Sequence, residues 1–184
     1  MELKKRNAKI IIVSGKANSG KDTTCEFIDN YVKIRGLKTV NLQFSSYIKM
    51  YAKKISNWSG DDDSKPRTLL QELGTDIIRK QIDNEFFIKR IIEDIKVYSY
   101  YFDVITISDA RLPEEIESIY TSFKNVYRVN ITRPNFNNSL NDQERKHATE
   151  VALDKYNNYD YVIVNEGTLQ DLNEKAKKIV DEVI

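Results

Sequence analysis

The stretch GKANSGKDTT, residues 15–24, has the residue types and spacing of a phosphate-binding loop. In the pattern G-x-x-x-x-G-K-[ST], the glycines let successive backbone N–H groups point at phosphate, and the lysine reaches the outer phosphates. Gly15, Gly20 and Lys21 have that spacing. The apolar run IIIVS leads into the loop and the amphipathic stretch DTTCEFIDNYVKI follows it. A strand-to-helix turn without a ligand is therefore disfavoured, because these flanks aim a helix N-terminus at the anion.

Asp22 departs from this pattern, because it stands where Ser or Thr is usual. A carboxylate so close to a polyphosphate is repelled unless a cation intervenes. Asp22 is therefore expected either to hold Mg²⁺ through water or to stabilise the first helical turn by capping and dipole compensation. Thr23, the next residue, can supply the hydroxyl group that the pattern requires.

The composition narrows the class of protein. The 184 residues include 29 Lys and Arg against 28 Asp and Glu, and the net charge of +1 disfavours a nucleic-acid-binding protein. Trp58 and the 11 tyrosines are accordingly expected in the core and at its rim. Cys25, the single cysteine, allows no disulfide framework or cysteine-based metal site. The apolar run of the N-terminal region is too short for a signal peptide or membrane span, so we expect a cytoplasmic protein without a membrane partner.

Short apolar runs alternate with helical patterns along the chain, which is typical of a parallel sheet covered by helices on both faces. The expected strands are Lys9–Ser14, Thr39–Phe44, Asp103–Ser108, Asn125–Ile131 and Tyr161–Val164. Two polar insertions are expected, at Asn57–Lys65 and Thr132–Lys146. The chain is therefore interpreted as one α/β domain over residues 1–184.

The G-K-D-T form of the loop resembles the deoxynucleoside monophosphate kinases of tailed bacteriophages, in which the same Asp-Thr pair follows the lysine. Three further blocks resemble that family in the same order: LLQELGTDIIRKQIDNEFFIKRI (69–91), SDARLPEEIE (108–117) and HATEVALDKYNNYDYVIVNEGTLQDL (147–172). They resemble its L-Q-x-x-G-T-x-x-x-R helix, its D-x-R-x-x-x-E segment, and its H-x-[ST]-E and final-strand signature. The resemblance implies a nucleoside monophosphate kinase-like fold, with ATP and Mg²⁺ as donor and cofactor.

The loop pattern and the resemblance together define the expected donor site. We expect ATP to contact Gly15, Lys16, Ser19, Gly20, Lys21, Asp22 and Thr23. The resemblance also implies that Asn165 and Gly167, which follow the last strand, border the donor adenine, although a turn alone would explain both residue types. The expected Mg²⁺ ligands are Asp22, Thr23 and Asp109.

The expected acceptor site draws on the middle of the chain. Asp109 follows the strand VITIS at the carboxyl edge of the sheet, where it can hold Mg²⁺ or the acceptor, or cap the helix LPEEIESIY. Arg79 and Arg111 are candidates for a clamp on the acceptor phosphate, with a solvated helix position as the alternative for Arg79. Gln71 and Thr75, four residues apart on a predicted helix, can contact the sugar or base or serve only in packing.

Thr132–Lys146, the second polar insertion, is predicted to be a mobile loop and resembles the lid of nucleotide monophosphate kinases. Arg133 and Arg145 near its ends would then join Lys21 and Arg111 as catalytic residues, while a polar loop without function is the alternative. His147 is expected to make a helix-start hydrogen bond or to anchor the lid.

Two other functions stay open. The acceptor can instead be phosphomevalonate or dephospho-coenzyme A, because animal-type phosphomevalonate kinases share a G-K-D loop and dephospho-coenzyme A kinases end similarly. A nucleotide-binding protein without turnover is the third reading. Small nucleotides are the expected partners, nucleic acids are not, and a homodimer is left open together with the preferred base and sugar.

Overall fold

The computed structural model describes residues 3–134 and 151–184. Five parallel strands in the order β2-β3-β1-β4-β5 form its sheet. The strands are β1 (Lys9–Ser14), β2 (Thr39–Leu42), β3 (Val104–Ala110), β4 (Val126–Thr132) and β5 (Tyr161–Val164). The predicted α/β class, a parallel five-stranded sheet with helices on both faces, is confirmed, and β1 and β5 have their expected bounds.

The bounds of three strands differ from the prediction by one or two residues. β4 is Val126–Thr132 rather than Asn125–Ile131, and β3 starts at Val104 rather than Asp103. β2 ends at Leu42 rather than Phe44, because Phe44 already begins helix α2 (Phe44–Ser56). β3 continues to Ala110, so Asp109 lies inside this strand and not after it. The central strand β1 contains four consecutive β-branched residues and is buried on both faces of the sheet, as its position between β3 and β4 requires.

The other helices with α-helical geometry are α1 (Lys21–Ile34), α3 (Arg67–Gln71), α4 (Phe86–Tyr98), α5 (Pro113–Ser122) and α6 (Leu169–Val183). Local signals explain their ends. Gly36, with φ +73°, follows the last turn of α1, and Pro113 occupies the first turn of α5. Thr168 and Asp171 form a reciprocal capping box at the start of α6.

The block 69–91, which resembles the family's L-Q-x-x-G-T-x-x-x-R helix, does not form one continuous α-helix. α3 runs into a π-helical segment, Glu72–Ile82, which closes with a hydrogen bond from Asp83 N to Ile78 O (2.8 Å), and α4 starts only at Phe86. Gly74 in this segment packs against α2, since a Cβ there would lie 2.9 Å from Ile48 Cδ1. π-Helical turns are rare and are found often at functional sites.

Two hydrophobic clusters cover the two faces of the sheet. α1 and α6 pack on one face, whereas α2, α4 and α5 pack on the other. Trp58, in the first polar insertion, is 8% exposed and packs with Ala52 and Leu73. This confirms its predicted place in the core. Within residues 3–134 and 151–184, no helix is both long and apolar enough to cross a membrane.

The carboxyl ends of all five strands lie at one edge of the sheet, because all five are parallel. The phosphate-loop sequence follows β1 at the centre of this edge. Asp109 lies at the end of β3, Arg133 follows β4, and Asn165 follows β5. Ligands of open α/β sheets bind in the crevice outside the carboxyl ends of the strands, so the fold gathers residues from distant parts of the sequence there.

Candidate functional site

The phosphate loop joins β1 to α1 and depends on two glycines. Gly15 (φ +151°) and Gly20 (φ +105°) have positive φ angles. A Cβ on Gly15 would lie 2.2 Å from the backbone oxygen of Ile131, and one on Gly20 would lie 2.8 Å from Nδ2 of Asn165. Both glycines are therefore required by the close approach of neighbouring strand ends as well as by backbone conformation.

The polar groups inside the loop leave room for an anion. Lys21 is 7% exposed, and its Nζ donates a hydrogen bond to the carbonyl oxygen of Lys16 (2.7 Å). Ser19 Oγ is buried and has no hydrogen-bond partner in the part of the chain that the structure describes. An unpaired buried hydroxyl is costly unless a ligand binds it. The backbone at Gly15 and Gly20, the Lys21 ammonium group and the Ser19 hydroxyl therefore fit the phosphates of a nucleotide.

Asn165 supports this loop from β5. Its Nδ2 donates to the carbonyl oxygen of Ser19 (2.9 Å), and its backbone N–H donates to Thr132 O (2.7 Å). Gly167 lies beside the capping box of α6, since a Cβ there would be 2.4 Å from Asp171 Oδ2. Both residues thus have structural roles at the loop and the helix start, and their contact with adenine stays a prediction.

Asp22 is exposed in the first turn of α1, where its charge compensates the helix dipole. Gly20 is the N-cap, so the capping role proposed for Asp22 is wrong. Thr23 follows it and is half-buried. In residues 3–134 and 151–184, no three His, Cys, Asp or Glu side chains cluster closely enough to hold a metal ion. The Mg²⁺ site therefore stays a prediction.

Asp109 caps a helix, but not the expected one. Its Oδ1 accepts from Phe44 N (2.8 Å) and its Oδ2 accepts from Ser45 N (2.9 Å), which satisfies the first amides of α2. The helix LPEEIESIY, α5, is capped instead through Glu115. The sequence could not identify α2 as the capped helix, since 64 and 65 residues separate the bonded groups.

Arg79 forms a buried ion pair. Its Nη2 lies 2.9 Å from Glu115 Oε1, and the two side chains are 16% and 3% exposed. Nη1 donates to Gly74 O (3.1 Å), and the guanidinium lies 4.8 Å from the centre of the Phe87 ring. The alternative that Arg79 is a solvated helix residue is therefore wrong.

Glu115 had no role assigned from the sequence. Its Oε2 accepts hydrogen bonds from the backbone N–H groups of Arg111 (2.8 Å) and Leu112 (3.1 Å). Burial raises the pKa of the Glu115 carboxyl, although the Arg111 amide and the Arg79 charge act in the opposite direction. Its position as the last residue of the D-x-R-x-x-x-E segment was the sequence signal that could have identified it.

The other predicted acceptor residues lie on both sides of a change in helix type. Gln71 is the exposed last residue of α3, and Thr75 is half-buried in the π-helical segment. Their four-residue spacing was taken from an α-helix, whereas the π-helical turn closes with i→i+5 bonds. The argument that they share one helix face therefore does not carry over, and their contact with the acceptor stays a prediction.

A cavity of about 410 Å³ lies beside the phosphate loop. Its walls are the first half of the loop, the end of β4 and the segment 153–159: Gly15, Lys16, Ala17, Ser19, Asn130, Ile131, Thr132, Arg133, Pro134, Leu153, Asp154, Tyr156, Asn157 and Tyr159. Four predicted site residues, Gly15, Lys16, Ser19 and Arg133, are thus brought together in one cavity. Arg145 and His147 lie outside the described residues.

Sequence reasoning missed the wall formed by residues 153–159. Asp154 Oδ1 lies 2.8 Å from Lys16 Nζ, and the Ser14 hydroxyl donates to Tyr159 Oη (3.3 Å). Tyr156 Oη donates to Glu117 Oε1 (2.5 Å), and the rings of Tyr156 and Tyr159 meet edge to face at 4.9 Å. The aromatic wall is therefore held in place by hydrogen bonds to β1 and α5.

Three solved structures with similar folds are kinases by title. The APS kinase CysC of Mycobacterium tuberculosis in complex with AMPPNP and APS is 12% identical, with a TM-score of 0.56 over 96% of this chain and 97% of that one. A sugar kinase from Janibacter sp. HTCC2649 is 12% identical, with a TM-score of 0.59 over 95% of both chains. A shikimate kinase from Bacteroides thetaiotaomicron is 11% identical, with a TM-score of 0.54 over 94% of this chain and 98% of that one. These similarities show the P-loop kinase fold.

Sequence comparison is more specific. The model of the family described as deoxynucleotide monophosphate kinase matches residues 30–176, which include Arg79, Asp109 and Arg111. The deoxynucleotide monophosphate kinase of Escherichia phage RB69 is 30% identical over 115 residues, which are 62% of this chain. The match spans 44% of that relative's length. Because the family match covers most of the chain and the phosphate loop precedes it in the expected fold, the chain belongs to the deoxynucleotide monophosphate kinase family.

Proposed function

We propose that the protein transfers the γ-phosphoryl group of ATP to the 5′-phosphate of a deoxynucleoside or nucleoside monophosphate, giving the diphosphate and ADP. One observation carries this proposal: the phosphate loop opens on a cavity of about 410 Å³ and contains a buried ammonium group and a hydroxyl that has no hydrogen-bond partner within residues 3–134 and 151–184. Membership in the deoxynucleotide monophosphate kinase family supports the choice of acceptor.

The reaction joins an oxygen of the acceptor monophosphate to the γ-phosphorus and breaks its bond to the oxygen that leaves with ADP. The acceptor phosphate is already deprotonated near neutral pH, so no general base is required. Catalysis then depends on positioning and on positive charge at the transferring group. We expect Lys21 to supply this charge, which the position of its Nζ in the loop, 2.7 Å from the carbonyl oxygen of Lys16, supports.

Mg²⁺ would neutralise charge on the outer phosphates when it is bound with ATP. We propose that Asp22, Thr23 and Asp109 hold it. Both oxygens of Asp109 already accept hydrogen bonds from backbone N–H groups of α2, so this carboxylate would act through a water molecule. A Mg²⁺ titration of activity tests this. Asp22→Ala should require more Mg²⁺ than the parent, whereas Asp63→Ala in the exposed loop should not.

We propose that the acceptor phosphate is held by Arg79 and Arg111, with its sugar or base near Gln71 and Thr75. Arg133, which lines the cavity after β4, would reach the transferring phosphate. Arg145 would do the same from the other end of the predicted lid. A kcat loss in Arg133→Ala and Arg145→Ala that exceeds their loss of binding for either substrate alone would support the lid assignment.

A panel of acceptors tests the proposed function. ADP formation is measured with each deoxy- and ribonucleoside monophosphate, with phosphomevalonate and with dephospho-coenzyme A. The highest kcat/KM should belong to a deoxynucleoside monophosphate. A higher value for phosphomevalonate or dephospho-coenzyme A would favour a kinase that acts on that acceptor. Nucleotide binding without ADP formation in the presence of any acceptor would favour a non-catalytic protein. A cytoplasmic location stays a proposal, supported by a single, buried thiol at Cys25.

A further inference from the structure

Glu115 is a buried carboxylate whose two oxygens bind two different segments of the chain. Oε1 faces Arg79 of the π-helical segment at 2.9 Å, while Oε2 accepts from the backbone N–H groups of Arg111 and Leu112. Its side chain is only 3% exposed. A carboxylate is costly to bury unless it is paired and hydrogen-bonded, and these bonds provide that compensation.

Capping of α5 explains only half of this arrangement. The cap uses Oε2 alone, and an exposed Glu can make that bond at the same helix position. The hydrogen bond that Oε1 accepts comes from Arg79, which lies 36 positions earlier in the sequence. Glu115 therefore fixes the loop between β3 and α5 relative to the π-helical segment.

Arg79 is held in one orientation by this contact and two others. Its Nη1 binds Gly74 O at 3.1 Å, and its guanidinium lies 4.8 Å from the Phe87 ring centre. An arginine has five N–H donors in a planar fork, and the hydrogen bonds to Gly74 and Glu115 occupy one donor on each Nη atom. Among the described residues, these two hydrogen bonds orient the fork and leave its other donors unused.

We propose that Glu115 is a positioning residue for the acceptor phosphate. It sets the guanidinium plane of Arg79 and the backbone at Arg111, the two residues assigned to the acceptor clamp, without touching the substrate itself. The inference rests on the proposed function, because it requires an acceptor phosphate at these arginines. Small errors in the placement of substrate-binding groups reduce the rate by large factors, so the loss of this carboxylate should raise the acceptor KM.

Steady-state kinetics on Glu115→Gln, with ATP and the best deoxynucleoside monophosphate varied separately, test the proposal. Gln keeps the size of the side chain and can accept from the Arg111 amide, but it lacks the charge that holds Arg79. The acceptor KM should rise about tenfold to a hundredfold while the KM for ATP stays near the parent value. Glu114→Gln, an exposed neighbour on α5, is the matched control and should behave like the parent.

A double-mutant cycle separates positioning from general support of the fold. In an Arg79→Met background, Glu115→Gln should raise the acceptor KM by a smaller factor than in the parent, because the residue through which it acts is gone. If Glu115→Gln is unfolded at the assay temperature, Glu115→Asp replaces it. Asp keeps the charge but is one methylene shorter, so it cannot maintain both connections, and the same change in KM is expected.

The outcomes distinguish this inference from the proposed function. A parent protein that phosphorylates no monophosphate overturns both. A parent that turns over, with a Glu115→Gln variant that melts earlier but keeps its acceptor KM, overturns the positioning role alone and leaves a helix cap. Equal increases in the KM values for ATP and acceptor also overturn it, since they indicate a general distortion of the site.

Discussion

The phosphate loop and the proposed acceptor clamp, Arg79 and Arg111, are built in opposite ways. The loop is one continuous stretch between β1 and α1, and its buried Ser19 hydroxyl has no hydrogen-bond partner among the described residues. The proposed clamp comes from separate segments: Glu115 pairs with the Arg79 guanidinium and accepts a hydrogen bond from the backbone N–H of Arg111. The loop therefore has a polar group that a bound anion can satisfy, whereas the proposed clamp is held by internal hydrogen bonds.

This difference predicts how substitutions in the two regions will differ in their effects on the reaction, on acceptor binding and on stability. In the loop, a ligand must supply the missing hydrogen bonds, so removal of one loop group should weaken the reaction more than the fold. Around Arg79 and Asp109, by contrast, the side chains proposed to bind ligands also make hydrogen bonds that hold helical segments in place. Changes there should affect stability together with acceptor binding.

The largest effect is expected at Lys21. Lys21→Ala should lower kcat by at least about a hundredfold, since a single group that stabilises transition-state charge contributes on this scale. Its melting temperature should stay close to that of the parent. Lys124→Ala, an exposed lysine between α5 and β4, controls for the loss of one positive charge. Near-normal turnover by Lys21→Ala would contradict the kinase proposal.

A pair of glycine substitutions sharpens the distinction between loop shape and backbone strain. In Gly15→Ala, the new methyl group meets the Ile131 carbonyl at 2.2 Å, and neither backbone can yield cheaply. We expect a loss of about 3 kcal/mol in the free energy of unfolding, together with weaker ATP binding. In Gly36→Ala the φ angle is also positive, but no atom lies within 4 Å of the added Cβ.

The Gly36→Ala control should lose about 1 kcal/mol and keep its ATP affinity. Urea denaturation measures the first quantity for both variants, and ATP titration by calorimetry measures the second. Equal losses of stability in the two variants would show that the contact with Ile131 is relieved by small movements.

A smaller effect is expected in the clamp. Arg111→Lys and Arg79→Lys keep the positive charge but lose the planar fork, so the acceptor KM should rise about tenfold while the KM for ATP hardly changes. Arg90→Lys on the exposed side of α4 is the control. Loss of ATP affinity instead of acceptor affinity would place these arginines at the donor phosphates and contradict their assignment to the acceptor.

The smallest effect is expected at the cap of α2. Asp109→Ala removes the acceptor of the hydrogen bonds from the Phe44 and Ser45 backbone N–H groups and should lower the free energy of unfolding by about 1 kcal/mol. Urea denaturation measures this loss, with Asp63→Ala as a control for an exposed carboxylate. An unchanged unfolding free energy would show that water replaces the carboxylate at these amides.

The sequence alone determined the sheet and the phosphate loop, because both depend on local patterns. The β-branched run before Gly15 and the amphipathic stretch after Lys21 specify a strand, a turn and a helix from neighbours in the chain. Alternation of such runs was sufficient to predict a parallel sheet, and only the strand ends moved by a few residues. The need for glycine at positions 15 and 20 was likewise visible from spacing alone.

Only the tertiary structure decided how the remaining polar residues are used. Asp109 caps α2 rather than α5, Glu115 pairs with Arg79, and Asn165 holds the carbonyl of Ser19. Each of these bonds joins groups dozens of residues apart, and the sequence contains no local signal for such a pairing. The partner of a buried charge is fixed by which segments the folded sheet brings together, since the cost of leaving it unpaired is paid only when the chain is packed.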